Sequence, residues 1–268
     1  MSDWIYISKG KQDPYINQFA LAQRTPVVNS DEFIFDPADH TPILLRGILK
    51  KAIIQKCWQY NRTFYYMDTG YMGNEVSSKN PNGWKYWHRI VRNDLQHNDL
   101  VKRPDDRLHF FNKKFNDWKK DGRKILIAAP DEKPMKFYGL DLEQWINDTV
   151  SEIKKHTDRP VEVRRRDKLR ATRLVTNTLA EALHDDVYAL VTFNSNAGVE
   201  SIFEGIPVFY TSPSHAVAPV ASNDLSKIET PYYPSSDKLH AWLCHLSYAQ
   251  FHVDEFRSGK AKRMLEQP

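Results

Sequence analysis

The chain has 268 residues, 41% of them hydrophobic and 27% charged, with 38 basic side chains against 34 acidic ones and a formal charge of +4. That composition belongs to a folded chain of one large or two small domains and excludes a disordered polymer. No apolar run reaches the ~20 residues of a membrane-crossing helix, and Met1 to Gly10 lacks the basic start and apolar run of a secretory signal. Cys57 and Cys244 are too few for a zinc cluster or a disulfide framework. They read as small buried hydrophobes of a protein in a reducing cytoplasm.

In the first half, Trp4 to Ile7 reads as an opening strand, Ile16 to Ala22 as a short amphipathic helix, and Phe33-Ile34-Phe35 as a short strand. Pro42 to Leu45 leads to Arg46-Gly47, a strand-to-helix junction. A helix from Ile48 to about Tyr60 follows, with Leu49, Ile53, Ile54 and Cys57 at helical spacing. Thr63 to Met67 is rich in strand formers and closes at Asp68-Thr69-Gly70-Tyr71. A polar loop from Gly73 to Gly83 precedes a strand from Trp84 to Val91.

The polar stretch Asp117 to Gly122 marks the expected boundary, giving domains 1–120 and 121–268. Beyond it the pattern alternates regularly. Lys124–Ala129, Val161–Val163, Tyr188–Phe193 and Ile206–Tyr210 read as strands, and Leu142–His156, Thr176–Leu183 and Ala197–Phe203 as helices. Uninterrupted apolar strands alternating with helices predict an α/β fold with a parallel sheet covered on both faces. A helix from Ser236 to about Gln250 and another from Val253 to Leu265 close the chain.

The segment Val191 to Phe209, VTFNSNAGVESIFEGIPVF, carries the most chemistry. A buried strand stops at Phe193, Asn194-Ser195-Asn196 make a polar turn, and a helix opens at Ala197-Gly198. The helix start then falls at the carboxyl edge of the sheet, where open α/β folds bind ligands and where free N–H groups favour an anion. Glu200, in the first turn, is placed to accept hydrogen bonds from ribose hydroxyls. The plainer reading makes Ser195 and Asn196 caps and Glu200 their support.

The string NSNAGVESIFEGIPVF resembles the donor-binding motif of GT-B glycosyltransferases and their relatives, the UDP-N-acetylglucosamine 2-epimerases and capsule polysaccharide enzymes. The resemblance covers roughly Lys124 to Tyr210. It implies two small Rossmann-like domains facing a cleft, the first for the acceptor and the second for the donor, with the C-terminal helices crossing back. It also implies a nucleotide-sugar co-substrate, a UDP-sugar, with no tightly bound cofactor and no required metal. By position, Ser195, Asn196, Ala197 and Gly198, with Asn194 beside them, would meet the diphosphate, and Glu200 the ribose. Arg166 and Lys168, after the strand Val161–Val163, would touch the diphosphate or base, with Lys133 a weaker candidate and His215 within reach of the donor sugar; a solvated basic turn and an exposed loop histidine are the plainer alternatives. No Asp-X-Asp ends a predicted buried strand, in keeping with a site where cations and a helix dipole neutralise the leaving group.

The blocks YMDTGYMGN, YWHRIVRNDLQH with RPDDR, and YAQFHVDEFRSGKA resemble compact phage-encoded glycosyltransferases, some of which place sugars on hydroxymethylated DNA bases. Transfer to a hydroxyl calls for a proton acceptor, and Asp68 at a strand end is the candidate, with His97, Asp94, His40 and Asp39 as rivals and turn-capping as the plainer role. Aromatics from Tyr65 to His97 interleave with Lys79, Lys85, Arg89 and Arg92, and Lys102 to Lys120 add further cations. That mixture suits a nucleic-acid groove unless half the rings are core. The expected activity is transfer from a nucleotide-sugar to hydroxymethylated pyrimidine in phage DNA. The alternatives are a saccharide or small-molecule acceptor, a sugar-nucleotide epimerase, and a non-catalytic nucleotide- or DNA-binding module.

Overall fold

The computed structural model describes residues 4–9, 13–74, 85–165 and 178–267. In chain order these form β1 (Ile5–Ser8), α1 (Pro14–Ala22), β2 (Val27–Asn29), β3 (Ile43–Arg46), α2 (Lys51–Gln59), β4 (Phe64–Thr69), β5 (Trp87–Arg92), β6 (Lys124–Ala128), α3 (Glu132–Tyr138), α4 (Leu142–Ile153), β7 (Val161–Arg164), α5 (Leu179–His184), β8 (Val187–Thr192), α6 (Ala197–Phe203), β9 (Val208–Tyr210), α7 (Ser236–Tyr248), β10 (Gln250–His252), α8 (Val253–Arg257) and α9 (Lys260–Leu265). A 3₁₀ turn, Ile48–Lys50, leads into α2. The chain divides into two compact units, Met1–His97 with Asp105–Phe111 and His245–Pro268, and Asn98–Pro104 with Asn112–Cys244.

The first unit holds a six-stranded sheet in the order β10-β5-β4-β3-β1-β2. β2, β1, β3 and β4 run parallel, and β5 lies antiparallel to both β4 and β10. Side chains alternate faces along a strand. Tyr6, Leu44, Tyr65, Met67 and Ile90 therefore share one face, packed on Ile16 and Phe19 of α1 and Phe256 of α8. Each such side chain, fully buried, contributes ~1.5–3 kcal/mol. Asp13 starts α1 by accepting the N–H groups of Tyr15 and Ile16 at 3.0 and 3.2 Å, the ordinary chemistry of a helix N-cap. The C-terminal stretch is fastened by Arg107, whose buried guanidinium donates to both oxygens of Glu255 at 2.7 and 2.9 Å and to the carbonyls of Ser247 and Gln250 at 2.9 and 3.1 Å.

The second unit is a parallel sheet in the order β7-β6-β8-β9. All six residues of β8 are buried, because helices cover both of its faces. Ile125, Ile127, Ala189, Val191 and Phe209 pack against Trp145, Ile146 and Ile153 of α4. Elsewhere in the unit, Phe203 of α6 stacks with Phe115 at 5.1 Å and meets Trp242 of α7 at 5.9 Å.

Two sequence expectations are corrected. Phe33-Ile34-Phe35 forms no strand; Ile34 is 89% exposed and the flanking rings meet edge-on. The helix expected over Val253–Leu265 is two helices, broken where Gly259 takes φ +68°. The polar stretch from Asp117 lies in the second unit, where Asn116 and Lys119 donate their N–H groups to the carbonyls of Phe203 and Gly205 at 2.9 and 2.8 Å.

Candidate functional site

In the second unit, β8 delivers the polar turn to the sheet's carboxyl edge. Thr192 Oγ1, fully buried, donates to the Ala128 carbonyl at 3.1 Å and ties the ends of β8 and β6 together. Ser195 Oγ then accepts the Ala197 N–H at 3.2 Å, and the Ser195 carbonyl accepts the Gly198 N–H at 3.0 Å. Asn196 occupies the cap position with helical backbone angles and no side-chain capping bond. Ser195, rather than Asn196, thus does the capping. Asn194, Ser195 and Asn196 are half-buried, Ala197 and Gly198 buried, and Glu200 exposed.

His215 is not the exposed loop histidine that composition suggests. It is buried, its N–H donates to Asn98 Oδ1 at 3.2 Å, and its Nδ1 accepts the Val217 N–H at 3.1 Å. An Nδ1 that accepts leaves the proton of the neutral ring on Nε2. The ring lies against Gly198: a Cβ there would sit 3.1 Å from Cε1 and 3.4 Å from Nε2. A polar loop is packed this tightly because Trp145 Nε1 donates to Thr211 Oγ1 at 3.0 Å and Ser212 Oγ to the Ser214 carbonyl at 2.7 Å. The structure therefore brings Ser195, Asn196, Ala197, Gly198 and His215 together. Arg166 and Lys168 lie outside the described residues. Their neighbour Arg165 is spent on a bidentate pair with Glu143 at 2.5 and 2.6 Å, and Lys133 is exposed.

In the first unit, Asp68 sits within β4 rather than after it, directly opposite Arg89 of β5. Its Oδ2 accepts from Tyr66 Oη at 2.7 Å and Arg89 Nη2 at 3.3 Å, and its Oδ1 from the Thr69 N–H at 2.8 Å. Burial raises the carboxyl pKa, but the Arg89 charge, the Tyr66 hydroxyl and the Thr69 N–H together outweigh it and hold Asp68 below its ordinary range. About a third of the Asp68 side chain, 35%, meets solvent, while Arg89 is 9% exposed. The carboxylate is ionised at neutral pH and reachable. Arg89 also donates to the Thr69 carbonyl at 2.9 Å and lies over the Tyr71 ring at 5.3 Å. Tyr71 Oη in turn meets Gln96 Oε1 and His97 Nδ1, each at 3.1 Å. Arg89 was legible only as one cation in a basic, aromatic stretch; its pairing with Asp68 follows from the register.

Among the rivals, His97 belongs to this Tyr71 network. Asp94 Oδ1 is engaged by the Leu95 N–H at 2.6 Å. Asp39 and His40 precede β3 at the opposite, amino edge, where Asp39 pairs with Arg62 at 2.7 Å. A concave pocket at that amino edge is lined by Trp4, Pro42, Thr63, Tyr65, Arg92 and Glu266, and holds none of the expected donor-site residues or candidate bases. Of the rings expected to stack on bases, Tyr65, Tyr66, Tyr71, Trp87 and His88 are buried and Tyr86 is exposed. Among the described residues no group of three or more His, Cys, Asp or Glu could hold a metal ion, and no helix is long and apolar enough to cross a membrane.

Scans against family models and curated proteins give no match. Among solved structures the chain is similar to KpsC of Thermosulfurimonas dismutans, described as a beta Kdo 2,4 transferase, with TM-score 0.50 and 10% identity over 90% of each chain. It is similar also to the beta Kdo 2,7 transferase of KpsC from the same organism, with TM-score 0.50 and 9% identity over 97% of this chain and 100% of that one. At such identity the likeness is one of fold alone; this chain is an α/β protein with two sheets, one parallel and one mixed.

Proposed function

We propose that this chain is a glycosyltransferase that moves a sugar from a nucleotide-sugar donor to a hydroxyl of a saccharide or small molecule. The observation that carries the reading is the turn from β8 to α6, where Gly198 opens the helix against the ring of a buried, tautomer-fixed His215. The fold likeness to Kdo transferases supports it. In this reading the Ser195–Gly198 turn, with Asn194 at its start, meets the donor phosphate, Glu200 holds the ribose, and His215 Nε2–H stabilises phosphate charge as the nucleotide leaves. Arg166 and Lys168 add cations to that phosphate. Asp68 takes the acceptor proton while the acceptor oxygen bonds the anomeric carbon and the bond to the nucleotide breaks. The burial of Tyr65, Tyr66, Tyr71, Trp87 and His88, which leaves them no face for a base, favours a saccharide over DNA.

The test is calorimetry of UDP-sugars and nucleotide-activated Kdo on the wild type and Glu200→Ala. A ribose contact by Glu200 is worth ~1.5–3 kcal/mol, the scale of a hydrogen bond to a charged group. Unchanged nucleotide affinity returns Glu200 to a helix-supporting role. Incubating the same labelled donors with oligosaccharides and with hydroxymethylated DNA decides the acceptor. Labelling of DNA alone overturns the saccharide reading.

A further inference from the structure

Cations gather where β3 passes into α2. β3 ends in Arg46, Gly47 turns the chain at φ +79°, and Lys50 and Lys51 fall in the first helical residues that follow. Neither the 3₁₀ turn nor α2 has an acidic residue in its first turn or a side-chain cap. Positive side chains at this end of a helix oppose its dipole. Lys50 folds back, and its Nζ donates to the Arg46 carbonyl at 2.8 Å, which brings the ammonium to the end of β3.

The local carboxylates answer this only in part. Asp13 Oδ2 reaches Arg46 Nη1 at 3.3 Å, but its Oδ1 serves the N–H groups of Tyr15 and Ile16. Asp31 acts on Lys50 only through the field, with no hydrogen bond to it among the described residues. The Arg46 guanidinium lies over the Tyr15 ring at 4.7 Å, and its Nε is buried with no hydrogen-bond partner among the described residues.

A second, independent feature points to the same place. Ser8, the last residue of β1, is 0% exposed, and its Oγ also has no partner among the described residues. The register Ile7↔Leu45 sets Ser8 beside Arg46 on the neighbouring strand. By alternation both project on the face that carries Tyr6 and Leu44. Two buried donor atoms on neighbouring strands, neither with an acceptor among the described residues, are costly in a native protein. A ligand oxygen accepting from both removes that cost.

We propose that the β3–α2 junction binds an oxyanion, a carboxylate or a phosphate, with Arg46 and Lys50 as the cations and Ser8 Oγ as the neutral donor. The site stands on contacts inside the first unit and holds whether or not the chain transfers a sugar. The probes are inorganic phosphate and galacturonate, each titrated by calorimetry at constant ionic strength. At least one binds saturably to the wild type. Arg46→Gln and Lys50→Gln each weaken binding about tenfold or more, as loss of a charge-assisted hydrogen bond does. Ser8→Ala weakens it severalfold while the melting temperature stays at or above the wild-type value, because the hydroxyl it removes has no internal partner. If Arg46→Gln fails to fold for want of the Asp13 pair, Lys50→Gln and Ser8→Ala carry the test. Phosphate binding alone assigns a phosphate ester, and galacturonate binding alone a sugar acid. No saturable binding of either probe, or affinity unchanged in Lys50→Gln and Ser8→Ala, overturns the proposal. Nucleotide affinity measured on the same variants stays at the wild-type value, so failure here is separable from failure of the transferase reading.

Discussion

Replacing Gly198 by alanine sets two opposed effects against each other. Alanine in place of glycine inside a helix gains up to ~1 kcal/mol of backbone entropy and propensity. The added methyl, however, would lie 3.1 Å from His215 Cε1, 3.4 Å from His215 Nε2 and 3.4 Å from Val208 Cγ1. A mobile neighbour would yield the few tenths of an ångström required. His215 is held at its backbone by Asn98 and at its ring by the Val217 N–H, and Val208 belongs to a buried strand. Overpacking against groups so fixed costs ~1–3 kcal/mol, so Gly198→Ala is expected to destabilise by about 1–2 kcal/mol net. Urea unfolding of the single variants and of Gly198→Ala combined with His215→Ala tests this. With the ring gone, the alanine should become neutral or stabilising by up to ~1 kcal/mol, a coupling of ~1–3 kcal/mol across the pair. A Gly198→Ala protein as stable as the wild type, with no coupling to His215, refutes the packing on which the donor-site reading rests.

Burial pushes the His88 pKa down to about 4 from 6.5. The unfolded chain therefore binds a proton that the folded one refuses, and stability falls as pH drops from about 6.5 toward 4, by up to ~3 kcal/mol. His88→Gln should flatten that part of the pH–stability curve, and an unchanged slope contradicts the neutral buried ring. Arg107→Met takes the fork from the Glu255 carboxylate, 12% exposed, but leaves it Lys260 Nζ at 3.1 Å and the His252 N–H, so it should destabilise by less than the ~3–5 kcal/mol of a fully stranded buried charge; a loss below ~1 kcal/mol in chemical denaturation would mean that the fork is not formed. Asp68→Asn should lower turnover ~10²–10⁴-fold at unchanged donor affinity if Asp68 is the base. The Asp68 pKa is held low in the fold, so its contribution to stability is present at neutral pH and lost as pH falls below about 4. The variant should lack that acid-side loss, and near-normal turnover would pass the role of base to His97 or Asp94.

How far the fold was legible depended on how local its determinants are. The second unit's central strands, β6 and β8, are buried on both faces, so Tyr188 to Phe193 reads as one apolar run, and its helices follow at short intervals. The first unit mixes directions and borrows an edge strand from the far end of the chain. β10 is three residues long and opens with Gln250, which nothing local marks as a strand former. Gln250 is there because its side chain accepts the N–H groups of Tyr71 and Met72 at 2.6 and 3.0 Å and donates to the Met72 carbonyl at 3.0 Å. The expectation of one long C-terminal helix failed for a comparable reason: the break rests on Gly259, whose left-handed backbone brings it against Gln23 of the first helix's end.

The candidate site divides along the same line. Ser195, Asn196, Ala197 and Gly198 are contiguous, so their joint position at a sheet edge was readable from a strand, a turn and a helix in succession. The partners that give these residues their chemistry are not contiguous with them. His215 reaches Gly198 through a loop whose packing is set by Trp145 and Thr211, and Asp68 meets Arg89 through an antiparallel register. The aromatic stretch misled for a physical reason as well. Tyrosine and tryptophan carry polar tips on large apolar bodies, so composition alone does not separate a base-stacking surface from a core; here Trp4 stacks on Tyr65 at 4.0 Å inside the sheet's own packing. What survives both scales is the handling of charge. The second unit brings the Ser195–Gly198 turn and the His215 ring to its carboxyl edge, whereas the first brings formal charges to its own, Asp68 on Arg89 and Arg46 beside Lys50. Under the proposed transferase reading, polar groups at the first of these edges would hold the charge of a leaving group, and an ionised carboxylate reachable from solvent at the other would capture the proton of the acceptor hydroxyl.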